Sequence, residues 1–444
     1  MNYNVKKILS LVLTALIIMA SYITYPITTA AEEVELNAES AILVDAKTGK
    51  VLYAKNPDIL LPPASMTKMM TEYLVWEAVE NGQISWDTTT QISDYAYSIS
   101  ANNSFSGVGL KQQQDYTVQE LYEAMAINSD NATTIALAEL IAGSEGEFVT
   151  LMNEKGEEMG LEEYEFVNST GLDNADLGEN YPEGTDPNAT NLLSARSSAL
   201  LAYYLVNDYP EALDISKIPQ TEFDGQTIDN WNYMLPHEGV NLEQFFYEGV
   251  DGLKTGFTTL AGYSFTGTAL VDNRRLITVV MKTESETERF VETAKLLDYG
   301  FSQFNEQELF PAGHQLEGDE TIPVAKGKED AVNVSLSKAI NVPIKTDEAE
   351  LYSLKYDLDE DKLNENGELI APVEKGDVIG TAELVYNGDT DYGYIFSDSS
   401  NQIELVTNEA VEKSNWFMLT LGAIGDFFAN LFTSAVDWIK GLFS

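Results

Sequence analysis

The stretch Leu61-Pro62-Pro63-Ala64-Ser65-Met66-Thr67-Lys68-Met69-Met70-Thr71 decides the fold. Two prolines fix its entry, and the apolar run from Met66 to Val79, with Met69, Met70 and Leu74 turned inward, predicts a helix. Ser65 and Lys68 stand three residues apart at its head, so their side chains share one face a turn apart. The first turn of a helix has unpartnered amide N–H groups and the positive end of the dipole, which favour negative charge developing on a serine oxygen. Such a pair is common by chance, and alone it reads better as an N-cap serine beside a surface lysine. The lysine heads an otherwise apolar helix, however, and two companion motifs follow in order.

The first companion, Ser129-Asp130-Asn131, interrupts the helical pattern of 118–142; by itself it would serve as a helix N-cap. The second, Lys254-Thr255-Gly256, lies on a strand-like segment opening a hairpin. Lys254 supplies a fixed positive charge there, and Gly256 leaves room for a substrate backbone to lie along the strand. Lys47-Thr48-Gly49 repeats these three letters, but inside a hairpin turn and ahead of Ser65, and is assigned no role. In this order S-x-x-K, S-D-N and K-T-G form the signature of β-lactamases and penicillin-binding proteins. With the flanks Gly249 to Thr258 and Ala261-Gly262-Tyr263, the chain resembles the low-molecular-weight penicillin-binding proteins, serine D-alanyl-D-alanine carboxypeptidases of the DacA type.

The resemblance implies a set of roles. Ser65 attacks the carbonyl between the two terminal D-alanines of a peptidoglycan stem peptide, giving an acyl-enzyme that water hydrolyses. Lys68 takes the Ser65 proton. A free lysine titrates near 10.4, so burial and the Lys254 charge must lower it, by about three units at a cost of roughly 4 kcal/mol. Ser129 relays a proton to the leaving amine, and Asn131 holds the substrate amide and Lys68. The N–H groups of Ser65 and Phe257 form the oxyanion hole. Lys254 and Thr255 bind the substrate's terminal carboxylate. Arg289 is either a further carboxylate anchor or a surface ion-pair partner of Glu286 or Glu292. β-Lactam antibiotics acylate the same serine, and no cofactor or metal is implied. One departure stands out: Ser194-Ala195-Arg196-Ser197 has serine where the family often has aspartate, which affects local hydrogen bonding and deacylation.

Composition agrees in what it excludes. The 444 residues hold 72 Asp+Glu against 25 Lys+Arg, a formal charge of −47, which argues against nucleic acid and against electrostatic adhesion to anionic lipid. There is no cysteine and there are two histidines, His237 and His314, so thiol chemistry is excluded and neither a zinc site nor a Ser-His-Asp triad is favoured.

The expected fold is α+β. A β-lactamase/transpeptidase-like catalytic domain, an antiparallel sheet with a helical subdomain, occupies 32–303, and a small all-β domain occupies 304–405 with strands near 331–336, 340–344, 351–356, 378–385 and 392–396. Lys6-Lys7, the apolar run 8–20 and Thr29-Ala30-Ala31 read as an export signal over 1–31. Residues 414–444 read as an amphipathic helix: Asp426, Asn430 and Asp437 fall on one stripe among aromatics, suiting a helix lying on a membrane surface. The expected location is therefore the outer face of the cytoplasmic membrane. A β-lactamase, a non-catalytic wall-binding protein and a transpeptidase share the motifs. The first would turn penicillin over, the second would not depend on Ser65, and the third differs only in choosing an amine over water.

Overall fold

The computed structural model describes residues 34–414, except 239–240, 316–317, 319, 347 and 397–401. The export signal and nearly all of the amphipathic helix lie outside the described residues. Among the described residues no helix is long and apolar enough to cross a membrane.

Strands Ser40–Asp45 and Val51–Lys55 form a hairpin whose turn is closed by Asp45 Oδ1, which accepts from Thr48 N at 2.9 Å and Thr48 Oγ1 at 2.7 Å. Strands Val250–Thr258, Gly262–Val271 and Arg274–Thr283 follow far along the chain, the last two joined through Asp272 and Asn273, both at positive φ as a tight hairpin turn requires. All five make one antiparallel sheet, in the order Val51–Lys55, Ser40–Asp45, Arg274–Thr283, Gly262–Val271, Val250–Thr258. The N-terminal hairpin thus pairs with a strand more than 230 residues later, Ser40 opposite Met281.

Ser40–Asp45 is buried throughout because both faces of the sheet are covered. Ile42 and Val44 join Ile277, Val279 and Met281 against the helical body. On the other face Leu43 and Leu276 meet helix Glu288–Gln303, where a Cβ added to Gly300 would sit 2.6 Å from Leu276 and 2.9 Å from Leu43. The helical body comprises, among others, Lys68–Glu80, Val118–Asn128, Asn131–Ala142 and Ala195–Asp208. The pattern read over 118–142 is two helices: a capping box of Thr117 and Glu120 starts the first, Ser129 in the left-handed region ends it, and Asp130 caps the second.

From Phe304 on, the described residues form strands and two short 3-10 turns. Phe304–Phe310 pairs with Ile340–Lys345, and a mixed six-stranded sheet runs Tyr352–Leu358, Val378–Tyr386, Gln402–Thr407, Ala331–Leu336, Thr321–Ala325, Leu369–Ile370. Val332, Val334, Leu336, Val342, Ile344 and Leu405 fill its core. The expected strand at 392–396 is not one of these. Tyr394 makes a single bridge to Lys50, with Val51 N donating to Gly393 O at 3.0 Å and Ile395 N to Gly49 O at 2.9 Å. Ile395 is buried in the core of the catalytic body, and Phe396 packs edge-on against Tyr203. The alternation there is real, but it extends the edge of the first sheet. Lys47-Thr48-Gly49, set aside as turn chemistry, is the turn that receives this segment.

Candidate active site

Ala64–Thr67 is a single tight 3-10 turn, and the α-helix begins at Lys68, two residues later than the apolar run suggests. Ala64 sits at φ 48, a conformation costly for alanine, and this kink presents Ser65 half-buried at the edge of a cleft. Lys68, one turn on, is completely buried. Its Nζ lies 3.0 Å from Ser65 Oγ, 2.8 Å from Asn131 Oδ1 and 2.7 Å from the Thr170 carbonyl. The last two partners only accept. A neutral amine has two N–H groups for them and one lone pair left for the serine hydroxyl, so the surroundings match the deprotonated form.

Asn131 is aimed by the Ser106 carbonyl, which accepts from both its N and its Nδ2 at 3.2 Å, leaving Oδ1 towards Lys68. Asp130 points away from the cleft, its oxygens accepting from Thr133 N and Val108 N at 2.6 Å each. It therefore fixes the Ser106–Val108 loop and the start of the next helix. Ser129 is buried at the turn between the two helices and lines the same cleft as Ser65. The Thr170 carbonyl is held by a buried asparagine knot. Asn168 Oδ1 accepts from the N–H groups of Thr170 and Gly171, while Asn191 Oδ1 accepts from those of Val167 and Asn168.

The Lys254-Thr255-Gly256 strand forms the opposite wall. A Cβ on Gly256 would lie 2.4 Å from the Pro63 carbonyl. The space read as room for substrate is thus filled by the protein's own backbone, which brings the strand against the Ala64–Thr67 turn. Phe257 is 51% exposed and stacks on Tyr263 with ring centres 4.3 Å apart. Arg289 is buried beneath them: Nη1 donates to Gly256 O at 3.3 Å, Nη2 is 3.7 Å from Glu286 Oε1, and Nε is buried without a partner. Glu292 pairs with Lys295 instead. The cleft so enclosed has a volume of about 250 Å³ and is lined by Ser65, Ser129, Thr255, Phe257 and Arg289 among others.

Burial dominates the electrostatics. It pushes Lys68 well below its ordinary value, helped by the charge of Lys254. Burial lowers Lys254 to about 8 and Arg289 to about 10, and raises Glu72 to about 7. Thr170, Ser106 and Glu72 were not read from the sequence as part of the site. Asn168-Ser169-Thr170-Gly171 carries a turn signal, but nothing in its letters says which carbonyl would meet Lys68.

Ser197 lies elsewhere, in a separate cavity of about 230 Å³ beside Arg196 and Tyr394. Its N–H donates to Ser194 Oγ, an N-cap, while Arg196 reaches Asp58 at 2.6 Å and the Tyr394 carbonyl at 3.3 Å.

An antiparallel sheet between helical layers, with a serine and a buried lysine where they meet, defines a class: the active-site serine hydrolases of the penicillin-binding-protein type. Residues 27–285 match the peptidase S11 family, described as D-alanyl-D-alanine carboxypeptidase, and 304–413 match the penicillin-binding protein 5 C-terminal domain. The chain is 33% identical to D-alanyl-D-alanine carboxypeptidase DacF of Bacillus subtilis over 80% of its length and 84% of the relative's. It is 30% identical to DacA of Escherichia coli over 86% of each. Among solved structures, PBP3 of Streptococcus pneumoniae superposes with a TM-score of 0.67 at 36% identity, covering 85% of this chain and 100% of that one. Penicillin-binding protein D2 of Listeria monocytogenes, in an ampicillin-bound form, gives 0.51 at 30% identity over 61% and 100%. The chain belongs to the peptidase S11 family of serine D-alanyl-D-alanine carboxypeptidases.

Proposed function

We propose that the enzyme removes the terminal D-alanine of peptidoglycan pentapeptide stems through an acyl-enzyme on Ser65, and so limits cross-linking. Ser65 Oγ forms a bond to the penultimate D-alanine carbonyl as its proton passes to neutral Lys68. The C–N bond then breaks, the leaving amine takes a proton relayed through Ser129, and free D-alanine departs. Water, deprotonated in turn by Lys68, cleaves the ester and restores Ser65. Asn131 holds the substrate amide and Lys68 together. Lys254, Thr255 and Arg289 meet the terminal carboxylate, and the N–H groups of Ser65 and Phe257 receive the oxyanion.

The observation that carries this reading is the Lys68 amine, sealed from water 3.0 Å from Ser65 Oγ with two acceptors already occupying its N–H groups. β-Lactams acylate the same serine by ring opening. The division at about residue 304, the export signal over 1–31 and the membrane-surface helix over 414–444 belong to the same proposal, placing the enzyme on the outer face of the cytoplasmic membrane. Mass spectrometry after exposure to benzylpenicillin tests the core of it. One adduct is expected, on the peptide containing Ser65, and Ser65→Ala should lose both the adduct and D-alanine release. An adduct elsewhere, or release undiminished in that variant, refutes it.

A further inference from the structure

A second cavity, of about 1300 Å³, adjoins the cleft and has no task in the reaction above. Most of its lining comes from the excursion between helix Ala212–Ser216 and strand Val250–Thr258. There Gln220–Phe223 and Gln226–Asp229 pair as a hairpin, and the chain runs on through Trp231, Tyr233 and Phe246. Trp231 is 40% exposed and Phe246 49%, and both line the cavity. Aromatic surface left open within a concave site is the pattern of a ligand pocket, where apolar contact binds and a few polar groups orient.

Two links join the cavity to the cleft. Trp231 is a wall of both. Its Nε1 donates to the Asn128 carbonyl at 2.9 Å, which fixes the ring to the turn that carries Ser129. Tyr233, also in the cavity lining, donates from its hydroxyl to Glu286 Oε1 at 3.1 Å, and Glu286 lies 3.7 Å from Arg289. Both links lead to the same end of the cleft. In the proposed reaction Ser129 serves the leaving amine, and Arg289, whose Nε is buried without a partner, meets the terminal carboxylate. The cavity therefore adjoins the place of the departing amino acid. With its amine and carboxylate engaged, a D-alanine has only its methyl group left, which fills little of such a volume. A D-amino acid bound in the same way, but with a long side chain, has only that chain to extend.

The charge of the lining selects among such chains. Asp229, Glu238 and Glu243 face the cavity and, among the described residues, no lysine or arginine does. The one imidazole, His237, has its Nε2 2.9 Å from the Asn232 carbonyl. An acidic tail would be repelled there and an ammonium attracted.

We propose that this cavity is a leaving-group subsite for D-amino acids with long neutral or cationic side chains, and that Trp231 is the surface such a chain crosses. The reaction is the same hydrolysis. The C–N bond after the penultimate D-alanine breaks, Ser65 holds the acyl group as an ester, the leaving amine takes the relayed proton, and water restores Ser65 and completes the new carboxylate. The inference rests on the roles of Ser129 and Arg289 proposed above.

The test compares kcat/KM of the full chain for blocked peptides ending in D-Ala-D-Ala, D-Ala-D-Lys and D-Ala-D-Glu, alongside benzylpenicillin labelling of Ser65. D-Ala-D-Lys should be cleaved within about tenfold of D-Ala-D-Ala, and D-Ala-D-Glu at least about tenfold more slowly than D-Ala-D-Lys. In Trp231→Ala and in Phe246→Ala the ratio of D-Ala-D-Lys to D-Ala-D-Ala cleavage should fall by about fivefold, as contact with the long chain is lost. The ratio is taken within one protein, so partial misfolding, which lowers both rates alike, does not mimic it. Wild-type cleavage of D-Ala-D-Lys below that range, or a ratio unchanged in both variants, overturns the inference. If Ser65 is labelled and D-alanine is still released from D-Ala-D-Ala, the reading of the site survives that outcome; if wild type is not labelled at Ser65, both fall.

Discussion

Replacing Gly171 by alanine should silence the nucleophile without touching any residue that meets substrate. Gly171 sits at φ +86, and a Cβ there would fall 1.9 Å from the Ala64 carbonyl oxygen, 2.3 Å from its carbon and 3.0 Å from Ser65 N. Real Cβ contacts do not go below 3.0 Å, so the Ala64–Ser65 backbone or the Thr170–Gly171 backbone must move by about 1 Å. Both moves are damaging: the first displaces Ser65, and the second withdraws the Thr170 carbonyl from Lys68 Nζ. The left-handed conformation costs about 1–2 kcal/mol for alanine, and overpacking adds about 1–3 kcal/mol. A misplacement of about 1 Å costs on the order of 100-fold in rate. The assay is the second-order rate of benzylpenicillin acylation, read beside thermal unfolding. Gly160→Ala is the control, because Gly160 also has positive φ (+74) but no atom lies within 4 Å of an added Cβ. It should lose only about 1 kcal/mol of stability and acylate normally. If Gly171→Ala acylates within about threefold of wild type, the claim that this backbone contact positions Ser65 is wrong.

Three further outcomes are expected. Asn131→Ala leaves one buried N–H of Lys68 without its acceptor, a loss of about 1–3 kcal/mol, so acylation should slow by about 10- to 100-fold with the pH optimum displaced; a rate within twofold of wild type contradicts the role. In the wild-type enzyme kcat/KM should fall as pH rises through about 8, where Lys254 loses its proton, and the fall should be absent for a substrate lacking the terminal carboxylate. Gly49→Val should expel the Phe396 ring, since a Cβ at Gly49 would lie 2.2 Å from it. Hydrogen exchange at Ile395 should then accelerate while Ser65 acylates at the wild-type rate, and unchanged protection there would show that Gly49 is not what admits the ring.

The parts of the site legible in the sequence were those whose chemistry is local. Ser65 and Lys68 are one turn apart on one helix, and helical geometry alone puts them together. Asn131 and Lys254 come from 63 and 186 residues further on; their letters and order announce them, but periodicity does not bring them to Lys68. Thr170 was invisible for a deeper reason: it acts through its backbone carbonyl, so any residue type could stand there, and the asparagines that aim it are two and 21 residues away. The fold divides similarly. The strands Ala331–Leu336, Ile340–Lys345 and Val378–Tyr386 were readable because apolar residues alternate there. Phe304–Phe310 was not, because its middle is exposed and polar. Alternation at 392–396 was read as a strand of the second module because periodicity reports which side is buried, never against what.

The same limit explains how so acidic a chain can bind an anion. Net charge is a property of the surface, where water and salt screen each group within about 8–10 Å. The charges that face the cleft are drawn from another population. Lys254 and Arg289 are buried beside a neutral Lys68, which is held by the Thr170 carbonyl and Asn131, while Arg289 donates to the Gly256 carbonyl. Buried charges are costly unless they are paired and hydrogen-bonded, so their placement is constrained far more tightly than that of surface acids. Composition can therefore drift to −47 while the local potential at Ser65 is kept by a few residues the solvent never reaches. In the proposed mode, a substrate carboxylate entering beside Arg289 would meet a guanidinium whose Nε has no partner and whose nearest acid, Glu286, is 3.7 Å off. The pull on that carboxylate is therefore set within the cleft, by cations already desolvated before it arrives.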